Sequence, residues 1–282
     1  DPTEPFGIKR IGFGRDIYGR ATSSYHIWFR NTIILIDGGS GLETCTSYIT
    51  TRLAYEKKHR ADIHFLFTHG HGDHTRGLNA NNLFFHPGIT FHFYSPDLSQ
   101  FRAKPSKIFP PGVPMTQIIL ESAFDEVNFP VTLDMLSAKH EHGQFQPGEE
   151  FLIDDILVRT LPVGHPGGCV AYLFIFPGRA QKRIAFATDF ELERGMRNAS
   201  MTEFYNGAML ACGEMQYGMK EYEGVTGIGN GPALIRKNWG HSTPDDVLQV
   251  LRDCKRLPAE FIVVHHDPQR DDLEVRAHYE RA

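Results

Sequence analysis

Hydrophobic residues along this chain occur mainly in short runs that are rich in β-branched and aromatic side chains. Such runs favour strands over helices, because buried strands are short and helices need longer periodic segments. The predicted strands are Ile8–Phe13, Tyr25–Phe29, Thr32–Ile36, Ile63–Phe67, Phe91–Tyr94, Ile156–Leu161, Val170–Phe176, Ile184–Ala187 and Phe261–Val264. Arg30-Asn31 lies between two of these runs and predicts a hairpin.

Helical patterns lie between the strands, at Cys45–Arg60, around Met115–Glu121, around Met201–Gly207 and at Pro244–Lys255. The last has a clear start, with Thr243 as the N-cap and Pro244 at the first helical position. Mixed strands and helices of this kind predict a layered α/β architecture. The Pro- and Lys-rich stretch from Arg102 to Pro114 predicts an excursion beside the core, so residues 1–282 are predicted to form a single domain.

Composition and charge argue against nucleic-acid-binding and membrane-spanning proteins. The 282 residues carry a net charge of -5, which argues against general nucleic-acid binding because phosphate contacts need clustered Lys and Arg. No run approaches the ~20 apolar residues of a membrane span. The four cysteines form no C-x-x-C pair and fit a reducing compartment, so we expect a cytoplasmic protein. The chain starts at Asp1 rather than Met, which leaves an earlier targeting segment open.

A dense group of polar side chains follows the predicted strand Ile63–Phe67. The segment Thr68-His69-Gly70-His71-Gly72-Asp73-His74 places three imidazoles and one carboxylate within six residues. These are the usual protein ligands of zinc, manganese and iron. The interleaved Gly70 and Gly72 are expected to let the backbone turn so that the side chains converge. The segment therefore predicts a metal site at a strand end.

Further candidate ligands follow later apolar runs. His165 comes after Ile156–Leu161, Asp189 after Ile184–Ala187, and His265 after Phe261–Val264. Any one of them alone is as well explained by a cap or a turn. Together with the first segment they predict that strand ends supply ligands throughout the chain.

The segment from Thr68 to His74 matches in full the Thr-His-x-His-x-Asp-His signature of the metallo-β-lactamase superfamily, and the chain resembles this superfamily. His165 and Asp189 match the next His and the metal-bridging Asp. Asp37, in Leu35-Ile36-Asp37-Gly38-Gly39, matches an early Asp that supports the site without binding metal. The resemblance implies a four-layer αββα sandwich with the metal site at one edge between the two sheets.

The C-terminal part resembles the phosphodiesterase branch, which includes tRNA 3′-end ribonucleases and bacterial enzymes that cleave cyclic nucleotides or cyclic phosphates. The matching segments are Trp239-Gly240-His241-Ser242-Thr243-Pro244, Val264-His265-His266-Asp267-Pro268 and Cys212-Gly213-Glu214-Met215-Gln216-Tyr217. The resemblance places His265 as the last ligand, His241 as a catalytic His that binds no metal, and Glu214 as its acidic partner. It runs from about Ile8 to Asp272 and departs most at Thr22-Ser23-Ser24, whose role stays open.

The resemblance implies two divalent metal ions. We expect His69, His71 and His165 on one metal, Asp73, His74 and His265 on the other, and Asp189 as the bridge. Zinc is preferred, with manganese or iron as alternatives, because His and carboxylate ligands suit all three. Asp73 is also expected to orient the attacking hydroxide. His241 is expected to protonate the leaving alkoxide, with Glu214 orienting it.

These expectations favour hydrolysis of a small cyclic or activated phosphodiester, such as a cyclic nucleotide. A tRNA 3′-processing ribonuclease is disfavoured by the negative charge and by the lack of an obvious basic arm. An oxygen-binding or redox diiron protein on the same ligands stays open. In a lactonase or β-lactamase, His241 and Glu214 would have no evident task.

The resemblance leaves room for a homodimer. His140 and His142 are predicted in a polar loop, and His266 as a neighbour of the ligand His265.

Overall fold

The computed structural model describes residues 21–280 except 103, 105, 111, 180, 195 and 197. The predicted strand Ile8–Phe13 lies outside the described residues. Two compact units make up the chain: Asp1–Gln100 with Lys104–Gln146, and Phe101–Ala103 with Pro147–Ala282. We call them unit 1 and unit 2.

Unit 1 contains a five-stranded sheet with the order β1-β2-β3-β4-β5. Its strands are β1 Tyr25–Phe29, β2 Thr32–Ile36, β3 Ala61–Leu66, β4 Ile89–Pro96 and β5 Lys139–Phe145. The hairpin predicted at Arg30-Asn31 is confirmed, since β1 and β2 pair antiparallel. The pairs β2–β3, β3–β4 and β4–β5 are parallel. The carboxyl ends of β2 and β3 therefore lie at one edge of the sheet, which brings the residues after them close together.

Two helices cover one face of this sheet, α1 Leu42–Tyr55 and α2 Met115–Ala123. Alternation along the strands directs Phe65, Phe91 and Phe93 into the same fully buried cluster, where side chains of both helices, such as Ile49 and Leu120, pack against them. This core fixes the ends of β2 and β3, and with them the loops that carry the first metal motif.

Unit 2 contains a six-stranded sheet with the order β11-β10-β9-β8-β7-β6. Its strands are β6 Glu150–Ile153, β7 Ile156–Val163, β8 Cys169–Ile175, β9 Arg183–Phe186, β10 Leu210–Glu214 and β11 Glu260–Val264. Strands β9, β10 and β11 are parallel, whereas β8 is antiparallel to both β7 and β9. Because β8 is antiparallel to both neighbours, β7 and β9 point in the same direction. Four strands therefore end at the same edge, and each predicted ligand of this unit follows one of them.

The helices of unit 2 are α3 Ala199–Tyr205, α4 Met219–Tyr222, α5 Pro244–Asp253 and α6 Asp272–Glu280. Side chains of α3 and α5, including Met201 and Val247, are buried in one cluster with sheet residues such as Ala211. The predicted start of α5 is confirmed, because the Thr243 side chain accepts a hydrogen bond from the backbone N of Asp246. A buried, capped helix of this kind holds the segment just before it in a fixed position.

Several elements differ from the sequence prediction. Strands β5, β6 and β10 and helices α4 and α6 were not predicted. The loop predicted around His140 and His142 is wrong, because both lie in β5. The side chain of His142 packs at 5.1 Å from the Phe93 ring, and its Nδ1 lies 3.0 Å from Thr116 Oγ1. The described residues of the stretch around 102–114 contain bends and turns without a strand.

None of the described helices is long and apolar enough to cross a bilayer.

Candidate functional site

The ligand set of unit 1 is built on the residues after β2 and β3. Asp37 follows β2 directly, is fully buried, and accepts three hydrogen bonds. Its Oδ1 accepts from the backbone N of Thr68, and its Oδ2 from Thr68 Oγ1 and His74 Nδ1, each at 2.8 Å. The buried position raises the pKa of Asp37, while His74 and the hydrogen bonds lower it. Asp37 thus supports His74 from behind, as the resemblance implies.

The histidines of this unit are oriented by their Nδ1 atoms. The hydroxyl of Thr68 donates to Asp37 and is therefore an acceptor for Nδ1 of His69, 3.0 Å away. The rings of His69 and His71 lie 4.5 Å apart, and those of His69 and His74 lie 4.3 Å apart. His69 and His74 are buried. With Nδ1 held by an oxygen, Nε2 of each buried ring is the nitrogen that could bind a metal.

A single 3₁₀ turn, Gly72–His74, presents the remaining ligand of this segment. Asp73 Oδ2 lies 3.4 Å from His74 Nε2, and the Asp73 side chain is 34 % exposed. A Cβ atom on Gly39 would lie 2.2 Å from the carbonyl oxygen of Asp73. The turn is therefore packed directly on the loop after β2. Gly39 also donates from its N to the carbonyl of Ser23 at 2.8 Å, which gives the Thr22-Ser23-Ser24 segment a supporting role.

The ligand set of unit 2 lies at the edge where four strands end. His165 follows β7, Asp189 follows β9, and His265 follows β11. His265 Nε2 lies 3.2 Å from Asp189 Oδ1. One potential ligand atom from each of His165, Asp189 and His241 lies within 4.8 Å of the others, and so does one from each of Glu214, His241 and His265. The topology thus gathers all predicted site residues of this unit.

The histidines of unit 2 show the same arrangement as those of unit 1. Nδ1 of His165 lies 3.0 Å from the carbonyl oxygen of Gly240, and Nδ1 of His265 lies 3.2 Å from Gln216 Oε1. Gln216 is held in turn by Asp267, which accepts from its amide nitrogen at 3.3 Å. Nδ1 of each ring is thereby engaged, so Nε2 is the nitrogen that could bind a metal. Fixed imidazoles together with carboxylates form the donor set that divalent transition metals prefer, so the residues present fit such ions.

His241 and Glu214 form a buried pair beside these ligands. Nδ1 of His241 lies 3.1 Å from both carboxylate oxygens of Glu214, whose Oε1 also accepts from the backbone N of Phe190 at 2.7 Å. Glu214 is fully buried, which raises its pKa, while the charge and hydrogen bond of His241 lower it. The His241 ring lies 5.4 Å from that of His165 and stacks at 5.2 Å on that of His265.

Glu191 is a site residue that sequence reasoning missed. Its Oε1 accepts from Tyr222 Oη at 2.5 Å and from the N of Asn238 at 2.8 Å, and its Oε2 accepts from the N of Gly240 at 2.9 Å. Gly240 has φ +91°, and a Cβ there would lie 2.0 Å from His165 Nδ1. Glu191 thus holds the loop whose carbonyl orients His165 and whose next residue is His241. No spacing rule would have identified it, apart from its place two residues after Asp189.

Two further expectations concern neighbouring histidines. His266 packs near Tyr279, with 6.0 Å between ring centroids, and does not join the groups of potential ligands among the described residues. His140 and His142 are likewise outside those groups. Neither Gly70 nor Gly72 adopts a positive φ. The chain does turn here, in the 3₁₀ turn Gly72–His74, but the turn does not use the left-handed conformation that favours glycine. Gly70 is instead confined by space, since a Cβ there would lie 3.1 Å from Met115 Sδ.

Comparison with solved structures identifies the fold. Neither a family model nor a curated protein sequence matches the chain. The metallo-β-lactamase fold protein YhfI from Bacillus subtilis matches with a TM-score of 0.62 at 16% identity, over 99% of this chain and 93% of that one. A diphosphatase of the PhnP family matches with a TM-score of 0.56 at 17% identity, over 94% and 81%. Human tRNase Z, short form, matches with a TM-score of 0.55 at 15% identity, over 93% and 91%. The chain has the metallo-β-lactamase fold.

Proposed function

We propose that this protein is a binuclear metal-dependent phosphodiesterase that hydrolyses a small cyclic or activated phosphodiester, such as a cyclic nucleotide. The ligands we assign to the two divalent ions, zinc in preference to manganese or iron, are His69, His71, Asp73, His74, His165, Asp189 and His265. When bound, such ions supply Lewis-acid activation of the phosphoryl group and of a water nucleophile. The remaining steps are assigned to this chain's own side chains.

The observation that carries the proposal is the His241–Glu214 pair. Hydrolysis of an alkyl phosphodiester needs a proton on the leaving alkoxide, and a positioned imidazole can deliver it. Glu214 holds Nδ1 of His241 with both carboxylate oxygens, so Nε2 is the nitrogen that can carry and deliver the proton. The ring lies beside two of the proposed ligand histidines, His165 and His265. A proton donor therefore stands next to the proposed reacting position.

Asp73 is the remaining residue to which we assign a role in the reaction. Its side chain is partly exposed, unlike the buried Asp37 and His74 behind it, so one oxygen can face a water molecule while the other faces a metal. Asp73 is therefore proposed both to bind a metal and to orient the water nucleophile. Glu214 orients His241 and does not contact the substrate.

The similar structures are compatible with this choice. Two of them are named as a diphosphatase and a tRNase, and both names refer to action on phosphate-containing substrates. A tRNA precursor is a less suitable substrate for this chain. The chain's own net charge of -5 repels a polyanion. Lactone or β-lactam hydrolysis is disfavoured, because the His241–Glu214 pair would then have no evident task.

The test compares leaving groups. His241→Ala should keep both metals and slow turnover of a cyclic nucleotide by ~10²–10⁴-fold, the range of general acid–base catalysis. The loss should be much smaller for a p-nitrophenyl phosphodiester, whose leaving group needs no proton. Glu214→Gln should show a weaker form of the same pattern. His59→Ala, on the exposed surface, is the control.

Three results would reject the proposal. The first is equal slowing of both esters by His241→Ala. The second is faster hydrolysis of a lactone or a β-lactam than of any phosphodiester by the wild-type protein. The third is a visible absorption band with iron bound and no hydrolase activity, which would favour a diiron redox protein.

A further inference from the structure

A large cavity lies within unit 2, beside His165. Its volume is about 920 Å³, which is within the range of small-molecule binding sites. It is lined by Gly164, His165, Pro166, Glu191, Leu192, Glu193, Arg194, Met196, Tyr222, Glu223, Ile235, Lys237, Asn238 and Gly240. A compact phosphate group would fill only a small part of this volume, so the cavity has room for an organic group attached to it.

Two apolar side chains in the lining are exposed to solvent. Met196 is 64% exposed and Ile235 is 68% exposed, although both line a cavity that contains a proposed metal ligand. Tyr222 is buried and contributes an aromatic wall, with the Arg194 guanidinium 6.0 Å from its ring centroid. Exposed apolar side chains gathered at a concave site indicate contact with an apolar ligand surface.

The charges in the lining largely offset one another. Arg194 lies 3.3 Å from Glu223 and 3.6 Å from Asp246, and Glu191 is used by its three hydrogen bonds. The remaining charged groups are one cation, Lys237, and one anion, Glu193, both exposed. The cavity therefore has no excess of positive charge to hold a second phosphate. The cavity therefore suits a group that carries no further phosphate and has a polar edge, which Asn238, Lys237 and Glu193 can meet.

The cavity is connected to the candidate site through its lining. His165, a proposed metal ligand, lines it together with Gly240, which precedes His241, and the ring of His165 lies 5.4 Å from that of His241. A phosphate held by the proposed ligands would therefore lie near a group seated in the cavity. The part of the substrate attached to the phosphate is the part that can occupy it.

We infer that this cavity binds the nucleoside part of the substrate, with Ile235 and Met196 as the residues that determine specificity. A heterocyclic base offers flat apolar faces with a hydrogen-bonding edge, and the ribose offers hydroxyls, which matches the mixed lining. In a cyclic nucleotide both ester oxygens belong to the nucleoside, so the nucleoside adjoins the phosphate whichever bond is cleaved. This inference rests on the proposed function and names the class of substrate within it.

The test uses two cyclic phosphates that differ only in the nucleoside. Wild type, Ile235→Ser and Val225→Ser are compared on 2′,3′-cyclic AMP and on ethylene phosphate. Val225 is a matched control, because it is 63% exposed in the same loop region but does not line the cavity. We expect Ile235→Ser to lower kcat/KM for the cyclic nucleotide by about 10-fold or more, the range for loss of hydrophobic pocket contacts. Ethylene phosphate should be unaffected, and Val225→Ser should change neither substrate.

A binding measurement separates this inference from the proposed function. Adenosine should bind to metal-free wild-type protein in a calorimetric titration, and its Kd should rise about 10-fold in Ile235→Ser but not in Val225→Ser. Equal kcat/KM changes for both cyclic phosphates, or no adenosine binding, would overturn the inference even if phosphodiesterase activity is found. Absence of activity on both phosphates, with adenosine still bound at this cavity, would overturn the proposed function alone.

Discussion

Glu191→Gln tests whether a residue that touches no proposed metal controls metal affinity. The carboxylate of Glu191 accepts from Tyr222, Asn238 and Gly240. An amide keeps one oxygen as an acceptor, and its NH₂ group must face one of the N–H donors. If the oxygen stays with Tyr222 and Asn238, the N–H of the buried Gly240 loses its acceptor and meets a second donor. A hydrogen bond to a charged group contributes roughly 1.5–3 kcal/mol, so the loop should lose about 2 kcal/mol of stabilisation.

This loss should reach the metal through His165. The Gly240 carbonyl holds Nδ1 of His165, so a displaced loop releases the imidazole from its fixed orientation. Substitutions that disturb the partners of metal-binding histidines typically cost 10–100-fold in metal affinity. A loss of about 2 kcal/mol corresponds to roughly 30-fold, which lies within that range. We therefore expect about 30-fold weaker binding of the ion that His165 holds.

Chelator competition at constant pH measures the two metal dissociation constants. Glu193→Gln is the matched control, because Glu193 lines the same cavity, has the same charge and is exposed. The melting temperature of metal-free protein is measured alongside. If Glu191→Gln lowers this temperature but leaves both dissociation constants equal to those of the control, Glu191 only stabilises the fold and the reasoning is refuted.

Three further predictions concern ligands and a buried histidine. Asp189→Ala should remove most of both metals, because a bridging carboxylate is shared, and elemental analysis showing two retained ions would contradict the bridge. His265→Ala should lose more metal than His266→Ala, and the reverse order would exchange their roles. Burial lowers the pKa of His26 from 6.5 to about 4, so unfolded chains bind a proton between these values while the folded chain does not. The free energy of unfolding should therefore fall by about 3 kcal/mol from pH 6.5 to pH 4. Urea titrations should show a shallower fall for His26→Gln, and an equal fall would exclude this residue as the cause.

The sequence predicted the parts of the fold that depend on local pattern. The continuous apolar runs that became β2 and β8 are buried on both faces, and their composition is typical of such strands. The start of α5 was predicted because capping chemistry is local. Strand β5 was missed because Lys139–Phe145 places His140 and His142 where core residues were expected. Its pairing with β4 decides its conformation, and no local pattern contains that information.

The candidate site was predictable only where side chains themselves do chemistry. His69, His71, Asp73 and His74 form a recognisable signature because imidazoles and carboxylates are the side chains that such metals prefer. The groups that hold the ligands are less restricted: Gly240 uses a backbone carbonyl, Gln216 an amide and Thr68 a hydroxyl. Many residue types offer such acceptors, so the sequence contains no distinctive pattern for them. Glu191 is the same case, since its partners are 31 to 49 residues away in the chain.

The backbone itself marks the site in a way that sequence periodicity does not. Eight described residues other than glycine have positive φ, and three of them, Asp37, Asp189 and His265, are strand-end residues of the candidate site. A fourth, Asn238, lies in the loop that Glu191 holds. The left-handed conformation costs of order 1–3 kcal/mol per residue, and it persists only where surrounding contacts impose it. At these positions the left-handed residue turns the chain just after the strand, and this turn sets the direction of the side chain. Asp, Asn and His tolerate that conformation best among residues with a side chain. The residue types that suit a metal are therefore also the ones that suit the turn.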